Sequence, residues 1–460
     1  MRKTPNLVTA ALGLLLMLLW TSAVAGPAKA AGPHAKLSMA QARSRALKAA
    51  SGAVESGELE HEPGGSGLRY SFDIRTPGGT REVGIDALTG KVLENSREST
   101  ATEAREQAAG GAPSHYTMTG LAKMQVPGHP LRSFAVSAVD PTDHVYALSD
   151  RSNRAVDLFD TRTHKFVGRA TGFSGDGAGH GHGKAGPNGI VAVGKQLWAG
   201  DGNSTVKIVN VSARKVVANI STGGSKRVDE LAFDPRDHLV VAANNADHPP
   251  LLTFMSTRPG HHVTGRLRLP RATDGLEQPV WDPANGMVYV AVPQVGSRPA
   301  RGGIAEIKPR TRKLRKVYPV HKCMPAGLAL GPHDHLMIGC SDDAIAAGFP
   351  AKSLVMDARN GRIVAPTSRV GGSDEVWYDS KTRRYYLAAV ANPGGPVLGM
   401  IDANADEWIG NIRPGPHAHS VAASAATGEV FVPIAAGKHD TKCPAGCVLV
   451  YGTRGSGNGG

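Results

Sequence analysis

Seven positions lie five residues before the end of a recurring apolar strand: Ala135, Gly189, Asp229, Glu277, Ala326, Asp374 and His419. One step on come Val136, Ile190, Glu230, Gln278, Gly327, Glu375 and Ser420. Three carboxylates and an imidazole thus share one height, with a second, partly acidic set beside them. Asn188, Arg227 and His417 thicken the cluster. Carboxylates crowded at one rim repel unless a cation or protons neutralise them. The pattern therefore points to a divalent metal held by Asp229, Glu277, Asp374 and His419, or to a polar ligand. The competing reading is structural, with polar strand starts hydrogen-bonded to neighbouring repeats and to channel water.

Two His-x-His pairs, His180/His182 and His417/His419, fall on the same side of the repeats. In extended chain such a pair points both rings one way, which suits a transition metal. The first pair sits in the glycine-rich run "GDGAGHGHGKAG", which reads equally as linker. Cys323, Cys340, Cys443 and Cys447 form an even set. Cys323 precedes an innermost strand and Cys340 ends the strand that follows it, at the same face, so the two pair across adjacent strand ends. Cys443 and Cys447 bracket Pro444-Ala445-Gly446 as a local clip. Two disulfides are expected, in preference to a four-thiolate zinc site. No nucleophile elbow, phosphate loop, CxxCH or HExxH is present, so serine-hydrolase, nucleotide and zincin chemistry have no support.

Repeats must position these residues. The apolar strand ends at Asp140, Gly194, Asp234, Asp282, Gly331, Asp379 and Ser424, at spacings of 40 to 54 residues. A second strand follows each, then a third, commonly ending in a turn such as Asp160–Lys165 or Asp357–Gly361. A fourth follows in most repeats. Four strands per unit, seven times over, specify a mainly β chain built as a seven-bladed β-propeller. The last repeat has three good strands, and the segment 116–126 is expected to supply its fourth and close the ring. Connections between second and third strands are long (244–250, 293–303, 341–353, 391–396 and 435–443), so one face is elaborated and suited to binding.

The segments "GPNGIVAVGKQLWAGDGNSTVKIVN", "RVDELAFDPRDHLVVAANN", "CMPAGLAL", "LMIGC" and "GGSDEVWYD" resemble the YncE-like (YVTN repeat) propeller family over residues 115–455. That resemblance implies an exported binding protein. Ahead of it, residues 36–97 read as a small α+β unit. Ser38 and Gln41 form a capping box opening a helix over 39–50. Strands follow at 54–61, 68–75, 80–86 and 91–94, with Tyr70, Phe72 and Ile74 forming one buried face. This order, with the ending "VGIDALTGKVLE", resembles a PepSY domain, which implies binding or restraint of a partner protein. Residues 98–114 read as a linker.

Residues 1–25 have the parts of a secretory signal: Arg2 and Lys3, an apolar run from Leu7 to Trp20, and Ala23-Val24-Ala25. The alternative is an uncleaved anchor. The net charge of +13 favours acidic partners. Nucleic acid stays an option without a motif behind it, beside an acidic envelope polymer or a protein bound through the PepSY-like unit, and the competing reading of the charge is plain solubility. The expected function is a periplasmic or extracellular binding protein. The alternative is a propeller lactonase or lyase, with Asp229, Glu277 and Asp374 on a cation and His419 as general acid or base.

Overall fold

A computed structural model describes residues 35–60, 64–97, 118–176, 182–437 and 443–453. The proposed signal segment, the linker and His180 lie outside the described residues, as does the side chain of His182.

The N-terminal unit begins with α1 (Met39–Ala49), opened by the expected capping box: Gln41 N donates to Ser38 Oγ and Ser38 N to Gln41 Oε1. Its buried Met39, Ala42 and Ala46 cover an antiparallel sheet of β1 (Ala53–Glu60), β2 (Arg69–Thr76), β3 (Gly79–Asp86) and β4 (Ser96–Arg97), in sequence order. Tyr70, Phe72 and Ile74 form the sheet's buried face, as their alternation requires. The last strand is at 96–97, not 91–94. Asp86 caps the intervening turn, accepting from Ser66, Leu88 and Thr89, and Val92 makes only an isolated bridge to Ile85.

Seven four-stranded antiparallel sheets follow, each in simple meander order. Their innermost strands are Phe134–Asp140, Ile190–Val193, Leu231–Asp234, Pro279–Trp281, Pro325–Leu330, Ser373–Asp379 and Ala422–Ala423, defining blades 1 to 7. β5 (Met118–Gln125) hydrogen-bonds to Cys447–Thr453 and becomes the outer strand of blade 7. The chain's early strand thus closes the ring and leaves no open seam between last blade and first. Between blades the middle strands pack apolar side chains; Tyr146, Phe159 and Phe431, for example, fill the seam of blades 7 and 1. Outer strands alternate, as in Lys215–Ser221, because one of their faces meets water.

Neighbouring innermost strands approach closely, which explains the small residues at several of the repeated positions. Gly189 N donates to Asp229 O at 2.7 Å, and a Cβ on Gly189 would collide with that oxygen. Trp377 of blade 6 reaches into the channel and packs on the cores at the 6/7, 7/1 and 1/2 seams.

The N-terminal unit is docked, not separate. Its edge strand β1 packs on Arg362–Thr367 and Glu407–Ile412, the outer strands of blades 5 and 6. The Tyr70 hydroxyl, which donates to Leu37 O, also meets Glu407 there. Burial, reinforced by Asp402, lifts the Glu407 carboxyl to about 7.

Candidate functional site

The starts of the innermost strands and the connections between second and third strands meet at one end of the channel. They enclose a cavity of about 410 Å³ lined by Arg227, Glu277 and Asp374 from the former and by Asn245 and Asp342 from the latter, with Thr273 from the link between blades 3 and 4. Glu277 and Asp374 have no side-chain hydrogen bond to any described residue. Burial raises both carboxyls. Asp374 rises from 3.8 to about 7, with Asp342 and Asp229 adding to the effect. Glu277 goes well above its ordinary range, pushed also by Asp229 and Asp374.

Two guanidinium groups are set into this acidic rim. Arg227 Nη2 pairs with Asp229 Oδ2 at 2.6 Å, and Asn245 Nδ2 donates to the same oxygen. Arg151 donates to Asn188 Oδ1 from Nη2 (2.6 Å) and Nε (3.2 Å). Burial lowers the Arg151 pKa to about 10, against the pull of Asp229, Asp374 and Glu230. Asn188 is fully buried and donates in turn to Ala185 O and Val228 O, which fixes Arg151 at the mouth.

The second set of repeated residues behaves differently. Gln278 Oε1 accepts from Leu328 N and Val376 N while its Nε2 donates to Val376 O, joining blades 4, 5 and 6. Ser420 Oγ donates to Glu375 Oε2 at 2.9 Å and accepts from Ser137 N, joining blades 6, 7 and 1. Glu230 and Glu375 line a deeper cavity of about 250 Å³ with Trp377, and burial raises both carboxyls. The structural reading thus describes Gln278, Glu375 and Asn188, whereas Arg227, Glu277 and Asp374 face open space.

Two expectations need correction. His417 and His419 are not an extended pair: His417 has φ 58°, and His419 Nδ1 turns to His417 O at 3.0 Å. The His419 ring stacks on Phe134 at 4.3 Å, and burial lowers its pKa to about 4, so it is neutral near pH 7. Asp229, though its charge reaches Glu277 and Asp374, is already engaged by Arg227 and Asn245. Among the described residues, no three His, Cys, Asp or Glu side chains gather as a metal site.

Sequence reasoning missed Arg151, Asn245 and Asp342. All three belong to the connections beyond the second strands, and aligning the ends of those strands would have brought them out. Asp342 opens a short helix, Asp342–Ala346, whose cap is Ser341. The cysteines pair as expected, Cys323 with Cys340 and Cys443 with Cys447, which suits an oxidising compartment. No helix among the described residues is long and apolar enough to cross a membrane.

Comparison with known proteins bears on the N-terminal unit first. Residues 36–95 match the family described as peptidase propeptide and YPEB domain. The unit is a PepSY domain. No curated protein matches the chain. For the propeller, a chain from the crystal structure of the mitotic checkpoint complex is similar, with a TM-score of 0.54 and 12% identity, covering 74% of this chain and 93% of that one. Identity that low carries the fold and nothing of function. The PepSY domain itself spans α1 and most of the four-stranded sheet, and its edge strand is the one seated on blades 5 and 6.

Asp374 provides a check on the electrostatics. Its folded pKa lies above the unfolded value, so the stability it contributes is complete below about pH 4 and is lost as pH rises through about 7. Asp374→Asn should match the parent's stability near pH 4 and exceed it at pH 8. Because the carboxyl is partly open to the cavity, a gain of only about 1–2 kcal/mol is expected. Denaturant unfolding at both pH values measures it, and a gain of equal size at both would refute the assignment.

Proposed function

We propose that this chain is an exported binding protein with a YncE-like propeller, whose channel mouth takes a cationic ligand such as a polyamine or a basic peptide segment. The observation behind this reading is the pair Glu277 and Asp374, which face a cavity with no side-chain hydrogen bond to a described residue while burial holds their protons on. A bound cation would supply the countercharge that Arg227 and Arg151 supply only in part. The PepSY domain adds a protein-docking module. The paired cysteines and the signal-like residues 1–25 support export to the periplasm or beyond.

Calorimetric titration with spermidine and with a lysine-rich peptide tests the mouth. Binding should tighten several-fold between pH 6 and pH 8, as Asp374 ionises, and should be lost in Glu277→Gln/Asp374→Asn. Absence of binding by both probes, or binding indifferent to the double substitution, would remove this reading.

A further inference from the structure

On the face opposite the acidic mouth, where first strands turn into second and third into fourth, two cavities of about 480 and 350 Å³ adjoin at the seam of blades 3 and 4. Both contain Arg236, Asp237 and Arg310; the first adds Lys308, the second Arg258 and Arg312. Five cations thus line one continuous groove with a single carboxylate. Four come from three turns, 235–238 and 257–262 of blade 3 and 309–312 of blade 4, and Lys308 ends the strand before the last of these. None of the five is ion-paired with a described carboxylate, although Arg315 and Lys316 just outside the groove share Glu306.

Two of these cations lie against glycine backbone. Gly286, at φ +70°, has no side chain where the Arg236 guanidinium lies, and any Cβ there would overlap it. Arg236 Nη2 also donates to Asn285 O at 3.4 Å. Across the seam, the Arg312 stem crosses Gly265 so closely that a Cβ would displace it. A glycine under each arginine, Gly286 in a turn and Gly265 in an outer strand, lets the side chain lie flat against the neighbouring backbone, which lowers the entropy lost when the guanidinium engages an anion.

We propose that this groove binds a linear phosphate-bearing polymer that carries no bases, such as a polyphosphate. Arginine forks match tetrahedral phosphate oxygens, and cations spread along two cavities in line fit a chain of charges better than one anion. Among the described residues no aromatic lines either cavity, so the groove shows no platform on which bases could stack. The site is independent of the mouth on the other face.

Fluorescence anisotropy of the full chain with labelled inorganic polyphosphate tests this, with poly-glutamate and a single-stranded DNA oligomer as comparison probes. Arg236→Ser/Arg310→Ser/Arg312→Ser should weaken polyphosphate binding by at least about tenfold near 0.15 M salt. It should also flatten the plot of log affinity against log salt by about two to three units. The control Lys165→Ser/Lys195→Ser/Lys215→Ser removes the same charge from exposed positions on blades 1 and 2 and should bind as the parent does. Both variants should keep the parent's unfolding midpoint, which separates lost binding from lost structure. The proposal is overturned if the groove variant binds like the parent, or if the control loses as much. It is overturned equally if poly-glutamate or DNA binds the parent as tightly as polyphosphate does.

Discussion

Arg227→Ala is expected to lower folding stability by about 3 kcal/mol at pH 8, and by clearly less at pH 5. Arg227 is the partner of Asp229 at 2.6 Å and the cation whose field reaches Glu277 and Asp374. Removing one member of a buried ion pair leaves the other charge uncompensated, which costs about 3–5 kcal/mol. The Arg227 side chain is one-fifth exposed, which favours the lower end of that range. At pH 5 Asp374 and Glu277 hold their protons, so the field that Arg227 offsets is weaker. Urea unfolding at the two pH values gives the answer. An equal loss at both would mean that Arg227 acts through packing, and the electrostatic account of the mouth would fall with it.

The second large effect belongs to the disulfide of blade 5. Cys323→Ala/Cys340→Ala should cost about 3 kcal/mol, the amount expected when a closed loop of about this length, 17 residues of separation, is released. Both residues are buried in the core shared by blades 4 and 5 with Tyr289, Leu336 and Ile338, so alanine leaves small voids but no orphaned polar group. Cys340 also ends the strand that leads into Ser341 and the helix carrying Asp342 toward the mouth. The double variant should therefore lose affinity for the cationic probe as well as stability. The parent under reducing conditions should unfold at the variant's midpoint. If reduction leaves the parent unchanged while the variant is weakened, the loss comes from packing and not from the cross-link.

Local and periodic features were legible in the sequence. The Ser38 and Gln41 cap, the alternation of Tyr70, Phe72 and Ile74, the seven innermost strands and the closing strand at the start of the propeller all depend on short-range patterning. A side-chain period of two and a repeat near 45 residues survive translation into structure because each blade is a meander of neighbours. The cysteine pairs followed from the same adjacency. Of the seven positions five residues before the inner-strand ends, Glu277, Ala326 and Asp374 line the mouth cavity.

Direction around the ring was settled only by tertiary structure. At equal height, Asp229 turns into an ion pair, Glu277 and Asp374 face the cavity, and His419 lies flat on Phe134. One position later, Gln278 and Glu375 join blades whose inner strands are tens of residues or more apart in the chain. Arg151 and Asp342 sit just past the ends of second strands, but which way each turns at the mouth is set by the packing of neighbouring blades. The basic groove gathers turns from residues 236 to 312 only because blade 4 lies beside blade 3. Periodicity fixes which face of a strand a residue occupies. Which neighbour it meets depends on blade twist and ring closure, and these arise from the packing of the whole chain.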